Sequence, residues 1–287
     1  MAGDHVHISD GPIDIELLPE VGARFHRLRA FGHDLLRTPD DPRAYAREPF
    51  LWGAYVMAPW CNRIEAVPTR VGDRTVDLRP GFPDRTAIHG QVASAAWTRR
   101  DEGTFAIRAG GDGWPWPYEV EERVSVAGSG LRVALRLTNL ADEPMPAGIG
   151  LHPWFVGPLD IAVAASRVAP NLDPAGGSGE VAGRCDLRRM VPVPDDIDAT
   201  WLDVAERAVD LRWPALGLEA TMRLDSNGRR AVAVASPAGA GVVAVEPQTP
   251  GPWGLRRYLA GDPDGLQALL PGASLDLAIE LEVRRST

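Results

Sequence analysis

The sequence contains no lysine, and all 30 of its basic residues are arginine. Schiff-base catalysis, attachment of pyridoxal phosphate and a phosphate-binding P-loop each require a lysine amine. These three chemistries are therefore excluded, whatever the cause of the arginine bias.

Cysteine is scarce as well, and long apolar runs are lacking. The two cysteines, Cys61 and Cys185, are far apart and do not have the spacing of metal ligands. We therefore expect no disulfide framework, and we expect a cytoplasmic location. No apolar segment is long enough to span a bilayer, and no charged-then-apolar export signal opens the sequence, so we expect no membrane partner. The net charge of −9 disfavours nucleic acid, because phosphate binding requires a clustered basic face.

Strand patterns dominate the rest of the sequence. The segment SLDLAIELEVR alternates aliphatic residues on one face (Leu275, Leu277, Ile279, Leu281 and Val283) with mostly acidic residues on the other. This period of two is typical of a half-buried strand, and LRVALRLTN and IDIELLP repeat it. Short breakers such as AGSG, DSNG and LPGAS separate the strands. We therefore predict an all-β protein, a large antiparallel β-sandwich that forms a single domain over residues 1–287.

Local patterns predict two hairpins, one helix and one long loop. The first hairpin joins YEVEERVSV to LRVALRLTN through AGSG, and the second joins LEATMRL to RRAVAVAS through DSNG. Asn227 and Gly228 in the second turn suit left-handed backbone conformations. Helical periodicity is confined to DATWLDVAERA, whereas NLDPAGGSGEVAG is expected to form a surface loop. The glycines of GGSGEVAG follow no strand and precede no clear helix, so they do not indicate a dinucleotide cofactor.

Aromatic residues are grouped in GDGWPWPYE, which contains Trp114 and Trp116. We expect a proline-rich loop here, whose tryptophans pack over an edge of the sandwich. Stacking on a sugar is the alternative role for these two rings.

Five further stretches carry polar side chains next to predicted strand ends or aromatic residues. Each has an ordinary interpretation when taken alone: a structural histidine, a turn cap, a surface ion pair, the start of a helix or a solvated strand end. Glu246 is expected at a cleft rim, because Pro247 is expected to end its strand. The stretches are CNRI with Asn62 and Arg63, IHG with His89, LHPWF with His152 and Trp154, WLD with Asp203, and VEPQTPGPW with Glu246 and Trp253.

No metal site is predicted. His5 and His7 could face the same side of a strand, but near the chain terminus we expect them to be exposed. The other histidines lack the close spacing of a zinc centre, which requires three or four convergent ligands. We therefore expect neither a catalytic metal nor a cofactor.

Taken in order, these stretches resemble the motifs of the aldose 1-epimerase (galactose mutarotase-like) superfamily. PEVGARFHRLRAFGHDLL resembles its opening Pro-x-x-Gly hairpin, and NRI, IHG and GLHPWF resemble its Asn-Arg-Ile, His-Gly and His-Pro-aromatic-Phe elements. WLDVAE is similar to a weaker Leu-Asp segment, and VEPQT to the Glu-Pro element. LLPGASLDLAIELEV resembles the closing strand, with Ala273 where glutamate is usual. The resemblance covers nearly the whole chain.

The resemblance implies the galactose mutarotase-like supersandwich with a sugar cleft, and an enzyme that interconverts the α and β anomers of an aldose. By position it implies that His152 is the general acid, Glu246 the general base and His89 a second histidine at the ring oxygen. It implies that Arg63 and Asp203 bind sugar hydroxyls. We expect the remaining candidates, Asn62, Trp154 and Trp253, to complete the substrate-binding set.

Departures from the family pattern leave the substrate open. LHPWF, IHGQV and PGPWGL differ from the corresponding segments of the best-known galactose enzymes, so galactose is not predicted. A mutarotase of a phosphorylated or sulfonated hexose would need an anion pocket. A non-catalytic carbohydrate-binding protein would not need both His152 and Glu246, and a polysaccharide lyase would need a tyrosine or lysine base on a long groove. The expected partner is a small-molecule aldose, and the protein is expected to be a monomer or a homodimer.

Overall fold

A computed structural model describes residues 5–286, and most of its secondary structure is β-strand. The first strands are β1 (Val6–Asp10), β2 (Ile13–Leu18), β3 (Arg24–Ala30), β4 (His33–Asp34), β5 (Ala54–Met57), β6 (Arg63–Glu65), β7 (Thr69–Val71), β8 (Arg74–Val76) and β9 (Thr86–Ile88). They are followed by β10 (Thr98–Arg99), β11 (Thr104–Gly111), β12 (Trp114–Ala127), β13 (Gly130–Asn139), β14 (Met145–Ala147), β15 (Gly150–Val156), β16 (Asp160–Val163), β17 (Arg167–Pro170) and β18 (Gly179–Glu180). The last strands are β19 (Val191–Pro192), β20 (Ile197–Leu202), β21 (Arg207–Trp213), β22 (Leu218–Ser226), β23 (Ala231–Ser236), β24 (Val242–Gln248), β25 (Gln267–Leu269) and β26 (Ser274–Arg285).

Helices are few and short. They are α1 (Ala44–Arg47) and α2 (Gly254–Leu259), with single 3₁₀ turns at Pro19–Val21 and Gly183–Cys185. Within residues 5–286 no helix is long and apolar enough to cross a membrane.

Two large sheets form the body of the fold. The eleven-stranded sheet has the order β1-β2-β3-β5-β15-β24-β23-β20-β17-β18, with β4 paired to β3. The nine-stranded sheet has the order β10-β11-β12-β13-β26-β22-β21-β16-β19. Both are antiparallel, and one hydrophobic core contains residues of both sheets. The predicted all-β antiparallel sandwich is confirmed.

The central strands of the eleven-stranded sheet are buried on both faces. In β24, Val243 and Val245 belong to the core between the sheets, whereas Ala244 packs on the opposite face with Tyr55 and Trp154. We call this opposite face the cleft face. Since side chains alternate along a strand, Glu246 lies on the cleft face with Ala244.

The first predicted hairpin is confirmed and the second is wrong. β12 pairs with β13, and the turn lies between Ala127 and Gly130. β22 and β23, by contrast, belong to different sheets, and DSNG carries the chain from one to the other. The Asn227 side chain bonds the backbone of β26 instead of closing a hairpin, donating to the Ser274 carbonyl and accepting from the Asp276 amide. Gly228 passes so close to Leu275 that a Cβ would lie 2.7 Å from its side chain.

The predicted helix is also wrong. Ile197–Leu202 is strand β20 and Arg207–Trp213 is strand β21, with Asp203 in a left-handed conformation at the turn after β20. Ile197 and Trp201 are buried in the core, so the two-residue alternation of the segment outweighs its weak helical period.

The two aromatic and glycine-rich segments have different outcomes. Trp114 and Trp116 lie in strand β12 and are buried in the core, not in a loop over an edge. Residues 171–183 form the expected irregular segment, interrupted by the two-residue strand β18 and the start of a 3₁₀ turn.

Candidate active site

His152 and Glu246 lie opposite each other on the cleft face of β15 and β24. The flanking pairs Gly150–Gln248 and Trp154–Ala244 set this register. His152 Nε2 and Glu246 Oε1 are 3.2 Å apart, and both side chains are almost completely buried. Two strands that are distant in sequence therefore place an imidazole and a carboxyl group side by side.

His89 completes this cluster from outside the sheet. Its ring centroid is 4.9 Å from that of His152, and the two rings are nearly perpendicular. Three polar atoms of the cluster, His89 Nδ1, His152 Nδ1 and Glu246 Oε2, make no hydrogen bond within residues 5–286. The cluster therefore retains donor and acceptor capacity for a bound molecule.

The expected position of Glu246 at a cleft rim, at the end of its strand, is wrong. Strand β24 continues to Gln248, with Pro247 opposite Val232 inside the sheet. The Glu246 side chain is only 5% exposed, because the cleft face is covered by other segments of the chain, including Cys61 and Ala93. The carboxyl group therefore lies on the cleft face, beneath these covering segments.

Asn62 positions the backbone around His89. It has a left-handed conformation, as does His89, and its carbonyl accepts a hydrogen bond from the His89 amide at 3.1 Å. Its side-chain oxygen accepts from the Arg63 amide at 2.8 Å. Gly90 follows so close to the preceding segment that a Cβ would lie 1.9 Å from the Ala58 carbonyl oxygen. The Asn62 side-chain oxygen is thus engaged by its own turn.

Arg63 is a largely buried cation beside the cluster. Its Nε donates to Asp84 Oδ2 at 2.7 Å, and Thr86 holds the same carboxylate through its hydroxyl and amide groups. The Nη groups of Arg63 make no hydrogen bond within the described residues, so they remain available to a ligand. Burial lowers the pKa of His89 and raises that of Glu246, and the positive charge of Arg63 adds to the first shift and opposes the second.

The two candidate tryptophans use their N–H groups within the protein. Trp154 donates to the Phe50 carbonyl at 2.6 Å, and its ring centroid is 5.0 Å from that of His152. Trp253 donates to the Asn171 carbonyl at 2.9 Å. These two residues can therefore contact a sugar through their ring faces but not through their N–H groups.

Asp203 does not join the cluster. Its carboxylate pairs with Arg167 at 2.7 Å and with Arg229 at 2.8 Å, and the side chain is 41% exposed beyond the end of β20. It makes no hydrogen bond or ion pair with His152 or Glu246, so the geometry does not support the expected contact with sugar hydroxyls.

Asp198, which the sequence reasoning missed, lies on the cleft side of β20. Its negative charge contributes to the raised pKa of Glu246, and Asn171 Nδ2 donates to its carboxylate at 2.6 Å. The missed signal was the alternation Ile197, Ala199, Trp201 against Asp198 and Thr200, which predicts a strand with Asp198 on its polar face.

Burial shifts the pKa values of His152 and Glu246 in opposite directions. It lowers the pKa of His152 to about 3, and it raises the pKa of Glu246 to about 8, with the Asp198 charge adding to the increase. Burial also lowers the pKa of His89 well below its ordinary value. At neutral pH the pair therefore carries one proton, and without a ligand that proton is favoured on Glu246.

Two groups of residues in the described part of the chain have potential metal-ligating atoms within 4.8 Å of one another. One is the buried cluster itself, and the other consists of His5, His7 and Glu16 on the surface. Glu16 in the surface group already hydrogen-bonds His5 and lies 3.7 Å from the Arg27 guanidinium. The absence of a catalytic metal stays a prediction.

Comparison with known proteins identifies the family. The sequence model of the aldose 1-epimerase family matches residues 17–268. The chain therefore belongs to the aldose 1-epimerase family and is an isomerase of the mutarotase type. No curated protein matches the sequence.

Solved structures show the same fold at low sequence identity. A putative aldose 1-epimerase from Escherichia coli K12 has a TM-score of 0.82 at 19% identity, with 98% of this chain and 99% of that chain covered. A galactose mutarotase-like protein from Clostridium acetobutylicum has a TM-score of 0.83 at 16% identity, with 97% of this chain and 94% of that chain covered. An aldose epimerase homologue from C. elegans has a TM-score of 0.82 at 15% identity, with both chains covered completely.

Proposed function

We propose that this isomerase interconverts the α and β anomers of a neutral aldose, with Glu246 as general base and His152 as general acid. The observation that carries the proposal is the 3.2 Å separation of His152 Nε2 and Glu246 Oε1 on a buried floor, with His89 beside them. A base and an acid at this spacing can act on the two oxygens that share C1 of a sugar.

Ring opening and ring closure each need only two proton transfers. Glu246 accepts the proton of the C1 hydroxyl, the C1–O5 bond breaks, and His152 donates a proton to O5, which gives an open-chain aldehyde. Rotation about C1–C2 presents the other face of the carbonyl to O5, and ring closure reverses both transfers. Each group is expected to contribute about 10²–10⁴-fold. No lysine, redox group or metal enters these steps.

Binding of sugar sets the proton in the required place. Sugar hydroxyls that donate to the Glu246 carboxylate stabilise its charged form and so lower its pKa. The proton then passes to His152 across the 3.2 Å between the two groups. Arg63 and Asp198 are proposed to bind further hydroxyls of the sugar, and the ring of Trp154 to pack against its apolar face.

A neutral substrate is favoured by the charges around the cluster. Besides Glu246, Asp198 and Asp84 are carboxylates in this region, and Arg63 already uses its Nε on Asp84. A second arginine, Arg24, influences His152 but is fully buried and donates to backbone carbonyls. Since Arg63 is paired with Asp84 and Arg24 is enclosed, an anionic substituent on the sugar would meet the Asp198 carboxylate without an unpaired, accessible cation among these residues. This disfavours the phosphorylated or sulfonated alternative.

The test is a polarimetric assay of mutarotation with neutral, phosphorylated and sulfonated aldoses. We expect the highest kcat/KM with a neutral aldose. Glu246→Gln, which keeps the shape but loses the basic oxygen, should lower kcat by about 10²–10⁴-fold without lowering the melting temperature. Asp203→Asn is the matched control and should be fully active.

Three other results would contradict the proposal. Preference for an anionic sugar would refute the neutral substrate, and normal turnover by Glu246→Gln would refute the mechanism. Sugar binding without mutarotation by the unmodified protein would support a non-catalytic carbohydrate-binding protein instead.

A further inference from the structure

Arg24 is a fully buried arginine without a carboxylate partner in the described part of the chain. It lies on β3 and donates to three backbone carbonyls: those of Trp52 at 2.8 Å, Pro49 at 2.6 Å and Ala93 at 2.9 Å. Its Nε makes no hydrogen bond. Neutral carbonyls satisfy donors but do not neutralise a charge, and an uncompensated buried charge is unfavourable. A feature of this kind calls for a role besides stability.

Aromatic rings connect Arg24 to the candidate active site. The guanidinium carbon lies 4.6 Å from the ring centroid of Tyr45 and 4.6 Å from that of Tyr55. The Tyr55 ring in turn stacks on the His152 imidazole, with 4.6 Å between centroids and 21° between planes. The cation, the phenol ring and the imidazole therefore lie side by side on the cleft face, on the neighbouring strands β3, β5 and β15.

This arrangement favours a neutral His152. A protonated imidazole would place a second positive charge behind the same phenol ring, whereas a neutral one meets no such repulsion. The groups that face His152 from the packed elements are Glu246, His89, Tyr55 and Trp154. Arg24 contacts this set through the Tyr55 ring, whereas the charge of Arg63 acts on His89 and Glu246.

We propose that Arg24 is a positioning residue for the mutarotase reaction, acting through Tyr55 to hold the His152 ring in place and to keep a second proton off the His152–Glu246 pair. The inference rests on the proposed function, in which the pair works with one proton. If the His152–Glu246 pair bound a second proton at working pH, Glu246 would no longer have the basic form that the reaction needs. Arg24 thus extends the pH range over which the pair holds one proton.

A purely structural role is the competing explanation. Arg24 also ties the segment around Phe50 to the sheet, through the Pro49 and Trp52 carbonyls. Such a role predicts that loss of Arg24 lowers the melting temperature without changing the titration of His152. The positioning role predicts that the titration changes.

The experiment is an NMR titration of the His152 ring in the whole protein, alongside the pH profile of kcat/KM. At a separation of roughly 9 Å and an effective dielectric constant of about 20, a unit charge changes a pKa by about 1. Arg24→Gln should therefore raise the pKa of His152 by about 1, with the acid limb of kcat/KM moving equally. Arg24→Lys, which keeps the charge, should restore most of the difference. Tyr45→Leu is the control, because Tyr45 contacts Arg24 but not His152.

Two outcomes would overturn the proposal. One is an unchanged His152 titration in folded Arg24→Gln. If that variant does not fold, Tyr55→Leu removes the intervening ring instead, and it should lower kcat more than it raises KM and alter the His152 ring signals. Normal kcat and unaltered signals in Tyr55→Leu would equally refute the proposal. Since the titration needs no turnover, failure of the mutarotase assignment would appear separately, as an inactive unmodified protein with the predicted titrations.

Discussion

His152 and Glu246 are ordinary ionisable residues whose behaviour is changed by burial. Desolvation disfavours the charged form of each, so the pKa of the imidazole decreases and that of the carboxyl group increases. Between these two values the pair carries a single proton and titrates as a unit. In the proposed ring opening the pair gives this proton to O5 through His152 and takes up the proton of the C1 hydroxyl through Glu246, so the pair again carries one proton.

The pH dependence of catalysis should follow from this pair. We expect kcat/KM to be constant through the neutral range and to fall above a pH of about 8, where the pair loses its last proton. A fall at acid pH should mark the second proton entering the pair. Initial rates with a neutral aldose across the pH range test this. Asp203→Asn should leave the profile unchanged, and an alkaline limb that moved in this variant would argue against the pair as its source.

Glu122 is a second buried carboxyl group, unrelated to the site. It lies in β12 opposite Phe105 and Leu135 and is completely inaccessible, and neither of its oxygens has a hydrogen-bond partner among residues 5–286. Burial raises its pKa well above the ordinary value. The folded protein therefore keeps a proton that the unfolded chain releases once the pH exceeds the ordinary carboxyl pKa, so this group lowers stability progressively as the pH rises.

Glu122→Met should consequently stabilise the protein, and more so at pH 8 than at pH 4.5. Removal of an unsatisfied buried polar group is expected to contribute about 1–3 kcal/mol even where the group is neutral. Thermal unfolding at both pH values measures the effect. Glu121→Met, at the adjacent position on the outer side of the strand, is the control and should change stability little at either pH. Equal stabilisation of Glu122→Met at both pH values would contradict the raised pKa.

At the scale of elements, β20 illustrates how alternation selects functional side chains. The strand directs Ile197, Ala199 and Trp201 into the core, which leaves Asp198 on the cleft side. Asn171, from the segment before β18, holds Asp198 through its amide at 2.6 Å and accepts from the Thr200 hydroxyl at 2.6 Å. The strand and the neighbouring loop together fix the carboxylate that influences Glu246.

Comparison of Asp198→Asn with Asp203→Asn tests which aspartate of this region acts on the sugar. We expect Asp198→Asn to raise KM by roughly tenfold or more, the loss expected for a charge-assisted hydrogen bond. It should also lower the alkaline pKa of the pH profile, because the Asp198 charge raises the pKa of Glu246. Steady-state kinetics as a function of pH measures both effects. The reverse pattern, with Asp203→Asn impaired and Asp198→Asn normal, would restore the assignment made from the sequence.

At the scale of the whole molecule, the sandwich has a hydrophobic core between its two sheets and a cleft face that other segments of the chain cover. Residues from near both ends of the described chain, Val6 and Val283, belong to the same hydrophobic core. The single domain over residues 1–287 stays a prediction. The segments over the cleft face bury His89, His152 and Glu246, and the proposed mechanism uses these side chains without an added group.

Activity should therefore survive removal of metals. Exhaustive dialysis against a chelator is expected to leave kcat and KM unchanged, because the proposed proton transfers use side chains alone. Added zinc should instead inhibit, since His89, His152 and Glu246 have ligand atoms within 4.8 Å of one another. His7→Gln, which alters only the surface group, is the control and should remain inhibited. Loss of activity on dialysis, restored by a metal, would refute this mechanism.

Much of the architecture followed from the sequence, because a period of two along a strand is a local property. The alternation in β2, β13 and β26 predicted which side chains are buried, and short motifs predicted the family and the cluster of His89, His152 and Glu246. Tertiary structure decided what depends on distant partners. It placed β22 and β23 in different sheets and brought the Asp198 charge rather than Asp203 to bear on Glu246. It also covered the cleft face, so that burial lowers the pKa of His152 and raises that of Glu246. Desolvation and strand order depend on residues that are far apart in the chain, and local sequence patterns therefore could not predict them.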